Sequence, residues 1–168
     1  MNKIDDAGVT ALAEAISVNS TLGELNLSLN QIEDCGAAAL AGAIKRNSTL
    51  TVLYLSGNKI GDSGGSELAG AIQKNRTLTK LNLSWNGIGH AVGAPLAEAI
   101  KANSTIRELN LCGNQIGDAG CVAMAEALEA NSTLAELDLS WNGISNAGRA
   151  TLDYAMEINS TITVHTLN

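Results

Sequence analysis

The 168-residue chain is long enough for one ordinary domain. Its 45 % apolar and 16 % charged content, without charge blocks, excludes a disordered segment. A net charge of −7 works against nucleic-acid backbones and anionic membranes and favours basic partners, and no run is long enough to span a bilayer.

The first segment, MNKIDDAGVTALAEAI, is acidic and amphipathic, which does not fit a secretory signal. Three cysteines without a CxxC pair read as reduced thiols, so the expected location is cytoplasmic. From the first helix onward the chain repeats every 28 residues, and 168 is six times that length. Leu25, Leu53, Leu81, Leu109 and Leu137 mark one column; Leu27, Leu55, Leu83, Leu111 and Leu139 mark a second. Ile32, Ile60, Ile88, Ile116 and Ile144 form a third. The units are 1–28, 29–56, 57–84, 85–112, 113–140 and 141–168, together a single domain. With no Phe, two Trp and two Tyr, their core has to be built from Leu, Ile and Ala.

Each unit switches periodicity inside itself. In TLTVLYLS, residues 49–56, Leu53 and Leu55 alternate with Val52, Tyr54 and Ser56, the pattern of a short strand with one face inward. In DSGGSELAGAIQKN, residues 62–75, Leu68, Ala69, Ala71 and Ile72 follow helical spacing. Asp62 stands where an N-cap belongs, as do Asp6, Asp34 and Asp118, with His90 and Asn146 in the remaining units. Gly8, Gly36, Gly64, Gly120 and Gly148 allow close approach near the helix start. Val92 breaks that series and Pro95 follows, so the fourth unit is expected to enter its helix differently.

Two asparagine series punctuate the repeat. Asn19, Asn47, Asn75, Asn103, Asn131 and Asn159 open Asn-x-Ser/Thr tripeptides that match a glycosylation acceptor. Their position in the last helical turn predicts instead a left-handed residue that ends the helix. Asn30, Asn58, Asn86, Asn114 and Asn142 follow the strands, where a buried amide can bond backbone groups of adjacent loops in a ladder. The last unit ends on STITVHTLN, residues 160–168, a weakly charged strand with an open edge, and Met1 falls in the slot of Trp85 and Trp141. The terminal units carry no distinct polar cap. A fragment of a longer protein, or a homo-oligomer pairing through 160–168, is expected on that basis.

The string L-x-x-L-x-L-x-x-N-x-I recurs at 22–32, 50–60, 78–88, 106–116 (with Ile106 for the first Leu) and 134–144. Followed by a full helix, it resembles the leucine-rich repeat, and the 28-residue length is similar to the ribonuclease-inhibitor-like subfamily found in NOD-like receptor sensor regions. The resemblance implies an α/β fold: a right-handed curved solenoid of six helix–strand repeats, with a parallel sheet on the concave face and helices on the convex face.

On that sheet the inner columns read Glu24, Val52, Lys80, Glu108, Glu136 and Asn26, Tyr54, Asn82, Asn110, Asp138. The strand-exit column reads Leu29, Gly57, Trp85, Gly113, Trp141. These columns vary, which marks positions freed from core packing. Tyr54, Trp85 and Trp141 are candidate partner anchors, beside Lys80 and an acidic patch of Glu108, Glu136 and Asp138 that suits a partner with a basic surface. Packing of each Trp over a loop, and a merely solvated acidic face, are the plainer readings.

No cofactor, metal site or enzymatic activity is expected. His90 sits in a helix-cap slot, His165 replaces a core Leu, and neither shares a unit face with Cys35, Cys112 or Cys121. GDSGG at 61–65 lacks the Lys of a phosphate loop. The leading expectation is a protein–protein interaction scaffold using the concave face and strand-exit rim. The alternative is a structural spacer or self-associating segment with an idle concave face.

Overall fold

The computed structural model describes residues 2–166. Helices α1 (Asp6–Val18), α2 (Asp34–Ile44), α3 (Asp62–Lys74), α4 (Gly93–Ala102), α5 (Gly117–Ala130) and α6 (Asn146–Ile158) each precede a three-residue strand. The strands are β1 (Glu24–Asn26), β2 (Val52–Tyr54), β3 (Lys80–Asn82), β4 (Glu108–Asn110), β5 (Glu136–Asp138) and β6 (Thr163–His165). They form one parallel sheet in the order β1-β2-β3-β4-β5-β6, which makes the chain an α/β solenoid. Helices need about 10 Å of separation and strands about 4.8 Å, so the stack bends with its strands on the inside.

The leucine columns face inward. Leu53, Leu81, Leu109 and Leu137 are buried, as are Leu55, Leu83, Leu111 and Leu139 behind them and Leu40, Leu68, Leu96 and Leu152 from the helices. Each such side chain contributes about 1.5–3 kcal/mol on leaving water. Small residues set how closely helices approach. A Cβ on Gly36 would fall 2.5 Å from Val9, and one on Gly64 2.8 Å from Ala37. In the fourth unit Val92 is large and faces Gly65, while Gly93 approaches Gly120. There a 3₁₀ turn, His90–Val92, precedes α4, which is the different helix entry that Val92 and Pro95 predict.

Two expectations about helix ends are corrected. The asparagines at 19, 75, 103, 131 and 159 are extended, not left-handed, as in Asn75 with φ −69° and ψ 145°. Their work is done by the side chain. Asn75 Nδ2 donates to the carbonyls of Ile44 (2.8 Å) and Asn47 (3.1 Å) in the preceding unit, while Oδ1 accepts from the Thr77 and Leu78 amides. The same bonds recur at Asn47, Asn103, Asn131 and Asn159, all buried, which leaves no room for a glycan on these amides in the folded chain.

The aspartates are the second correction. Asp5, not Asp6, caps α1. Asp6, Asp34 and Asp62 instead accept from the amides of Glu33, Gly61 and Gly89, the residues that open the next unit's helix or turn, and Asp34 also reaches Gly64. Asp118 accepts from both the amide and hydroxyl of Ser145. The caps therefore stitch units together.

The last unit departs from the repeat in two ways. β5 pairs with β6 as Leu137↔Val164 and Asp138↔His165, a step of 27 residues where every other strand pair steps 28. His165 thus does not replace a core Leu. A one-residue slip exchanges the two faces of a strand. Here it puts Val164 against the core and the imidazole outside. Secondly, the column Val9, Ala37, Gly65, Gly93, Cys121, whose members face the next unit, ends in Arg149. The neighbouring buried column Ala13, Ala41, Ala69, Ala97, Ala125 ends in an exposed Asp153. Both columns therefore finish in a charged side chain. No helix among the described residues is long and apolar enough to cross a membrane.

Candidate protein-binding face

The strand alternation that buries Leu81 and Leu109 turns Lys80, Asn82, Glu108 and Asn110 outward on the concave side. Parallel pairing in register then aligns Lys80 beside Glu108 and Glu108 beside Glu136. A shallow hollow of about 150 Å³ results, lined by Tyr54, Lys80, Asn82, Glu108, Asn110, Glu136 and Asp138. Five of the seven candidate residues thus share one concavity: Tyr54, Lys80, Glu108, Glu136 and Asp138. Trp85 and Trp141 lie outside it, on the rim.

Charge in the hollow is unbalanced. Lys80 pairs with Glu108, whose hydrogen bond holds the ammonium above its usual pKa. Glu136 and Asp138 have no cationic partner from the repeat columns, although the slipped His165 brings its Nε2 to 3.6 Å from Glu136 Oε1. Three carboxylates against one ammonium leave a surplus of negative charge.

The second inner column is not free of structural work. Asn26, Asn82, Asn110 and Asp138 each accept, through Oδ1, the amide two residues on, which closes the turn at the strand exit. Asp138 Oδ2 also accepts from Asn110 Nδ2. Tyr54 occupies this slot and has no side-chain oxygen placed to make that bond. The one aromatic in the column therefore replaces a turn-forming residue.

Beyond the turn, the rim column adopts left-handed backbone in all five units: Leu29 (φ 58°), Gly57 (66°), Trp85 (53°), Gly113 (69°) and Trp141 (57°). Glycine takes this conformation freely, whereas other residues lose roughly 1–2 kcal/mol. Leu29, Trp85 and Trp141 carry that cost while 56 %, 59 % and 58 % exposed. Part of their surface is used, because Leu29 covers Gly57 and the Trp85 ring covers Gly113, where a Cβ would fall 2.6 Å from each neighbour. Sequence reasoning placed Leu29 in this column but did not single it out, and it missed His165 on the concave face. The alternation of large and glycine residues at Leu29, Gly57, Trp85 and Gly113 was the available signal for the first.

Two of the three thiols are held in the protonated form. Burial pushes Cys121 up to about 11, and burial followed by the nearby Asp138 charge raises Cys112. Among the described residues no three His, Cys, Asp or Glu side chains converge as metal ligands.

Helix–strand units recurring every 27 or 28 residues, a continuous parallel sheet and asparagine-bonded loops define a leucine-rich solenoid. The family model described as Leucine Rich repeat matches residues 18–41, 46–69, 74–91, 102–125 and 130–152, and the chain belongs to that family. No curated protein matches the sequence. Among solved structures, leiomodin-1 actin-binding site 2 superposes with a TM-score of 0.73 at 21 % identity, covering 88 % of this chain and 87 % of that one. The tropomodulin C-terminal domain of Caenorhabditis elegans gives 0.73 at 21 % identity, covering 90 % and 93 %. Both likenesses are in fold.

Proposed function

We propose that the chain is a protein-docking scaffold whose concave hollow receives a basic surface of its partner. The observation that carries this reading is the meeting of Glu108, Glu136 and Asp138 with Tyr54 in one hollow. Carboxylates there steer a cationic surface inward, and the tyrosine supplies an aromatic anchor of few rotatable bonds. The similarly folded leiomodin-1 domain is an actin-binding site, so an arc of this size is sufficient to dock a protein in that case. The full helix in every unit supports a ribonuclease-inhibitor-like reading, and the free thiols support a cytoplasmic location. No catalysis forms part of this role.

The test is charge reversal. A Glu108→Lys, Glu136→Lys, Asp138→Lys variant, folded by circular dichroism, is compared with the native chain for partner capture at low and high salt. The native chain is expected to retain a basic partner more weakly as salt rises, and the variant to lose it. Equal capture by both would remove the concave hollow from the function.

A further inference from the structure

Resting on that docking reading, we propose that the rim ridge of Leu29, Trp85 and Trp141 binds one amphipathic α-helix of the partner, with apolar residues seven positions apart and basic residues on one flank. The ridge is built at even intervals. Successive anchors are two units apart, and the amides between them are held by direct backbone bonds: Leu29 N to Ser56 O, Gly57 N to Ser84 O, Trp85 N to Cys112 O and Gly113 N to Ser140 O, all 2.7–2.9 Å. Strand spacing therefore persists into the rim, and the anchors recur about every 10 Å. Seven residues of α-helix rise about 10.5 Å, so residues i, i+7 and i+14 fall in step with the three anchors. An extended strand repeats its side chains about every 6.7 Å and falls out of step.

A polyproline helix, at about 9.3 Å per three residues, also keeps step, and width separates the two. Asp138 is three residues before Trp141 along the chain, and Tyr54 shares its column. An α-helix about 10–12 Å across, seated on the ridge, lays one flank over that column and the carboxylates beside it. A narrow polyproline segment covers the ridge alone and leaves the negative charge unanswered. Both Trp85 and Leu29 expend one face on a neighbouring glycine and keep more than half their surface open, so two of the three anchors are seated before any partner arrives.

The chain's only two tryptophans are in this ridge, so their emission reports its occupancy. The probe is a synthetic helical 18-residue peptide carrying Leu at three positions seven apart and Lys along one flank. Controls are a scrambled peptide, one with Glu replacing Lys, and a proline-rich peptide with the same number of Leu and Lys. The spaced basic helix is expected to shift tryptophan emission to the blue and to bind at least tenfold more tightly than every control. Trp85→Gly with Trp141→Gly is expected to weaken a labelled peptide at least tenfold, and Leu29→Gly a few-fold. Glycine is the residue this slot already holds at 57 and 113, so these variants keep the backbone. Equal binding of scrambled or proline-rich peptide, or undiminished binding to the glycine variants, would overturn the proposal. If the peptide fails while charge reversal in the hollow still abolishes partner capture, the helix is wrong and the docking face stands; if both fail, the docking face falls too.

Discussion

Asn103 Nδ2 lies 2.6 Å from the carbonyl oxygen of Ile72, in the helix of the preceding unit. The same amide group donates to Asn75 O, and Oδ1 accepts from the Thr105 and Ile106 amides. One buried side chain thus serves the end of α3 and the turn after α4. Asn103→Ala leaves these groups bare, at about 1–3 kcal/mol for each that water cannot reach. The expected loss is roughly 3 kcal/mol or more in urea unfolding. Asn19 is exposed and makes only its own turn among the described residues, so Asn19→Ala is expected to cost about 1 kcal/mol or less. Equal losses at the two sites would show that the bonds between units carry no stability.

Glycines in the helices divide by what stands opposite. A Cβ on Gly93 would fall 2.6 Å from Gly120 Cα, a backbone atom that cannot turn aside. Gly93→Ala is expected to destabilise by about 1–3 kcal/mol as α4 and α5 are pushed apart. On α3, Gly70 meets nothing nearer than the Lys45 Nζ at 4.0 Å. Gly70→Ala is expected to stabilise by about 0.4–1 kcal/mol, because alanine loses less freedom on folding into a helix. Thermal unfolding of both variants decides it: the two changes should move the midpoint in opposite directions.

Trp85 and Gly113 form a pair that a double-mutant cycle can resolve. Gly113→Ala places a Cβ both in left-handed backbone and 2.6 Å from the indole. The single change is expected to cost about 2–3 kcal/mol, of which roughly 1–2 belongs to the backbone. With Trp85→Gly already present the clash is gone and only the backbone part remains. A coupling near zero in the cycle would mean that the ring does not rest on Gly113 in solution.

What the sequence could show, and what it could not, follows from how far each bond reaches. Leu53, Leu55 and Ile60 were legible because burial acts at every unit alike and leaves an unvarying column. That Glu108, Glu136 and Asp138 face away from the leucines followed from strand alternation, and the resemblance made that face the concave one. The reach of Asn75 and Asp34 was not legible, because a recurring slot says that a residue works but not which unit it works on. Asn75 bonds carbonyls 28 and 31 positions back, and Asp34 bonds an amide 27 positions ahead. The slots alone suggest local roles, a left-handed end and an own-helix cap. His165 escaped for another reason. Counting by 28 assumes no deletion, and the slip at β6 shows only in the pairing of Val164 with Leu137.

Asp118 supplies the pH dependence. The Ser145 hydroxyl, 2.6 Å away, and then the Ser145 amide hold its carboxyl below the usual carboxylate range. Because the folded pKa is the lower one, the carboxylate's contribution is fully present above the unfolded value, about 4, and is lost as pH falls through the folded value. Ser145 in turn accepts the Ala147 amide, so the charge acts on the start of α6 through the serine. Asp118→Ala is expected to lower the unfolding midpoint at pH 6, and the gap to the native chain should shrink steadily from pH 5 to pH 2.5. A gap that stays constant over that range would mean that the aspartate acts by size alone, with its charge making no contact that folding uses.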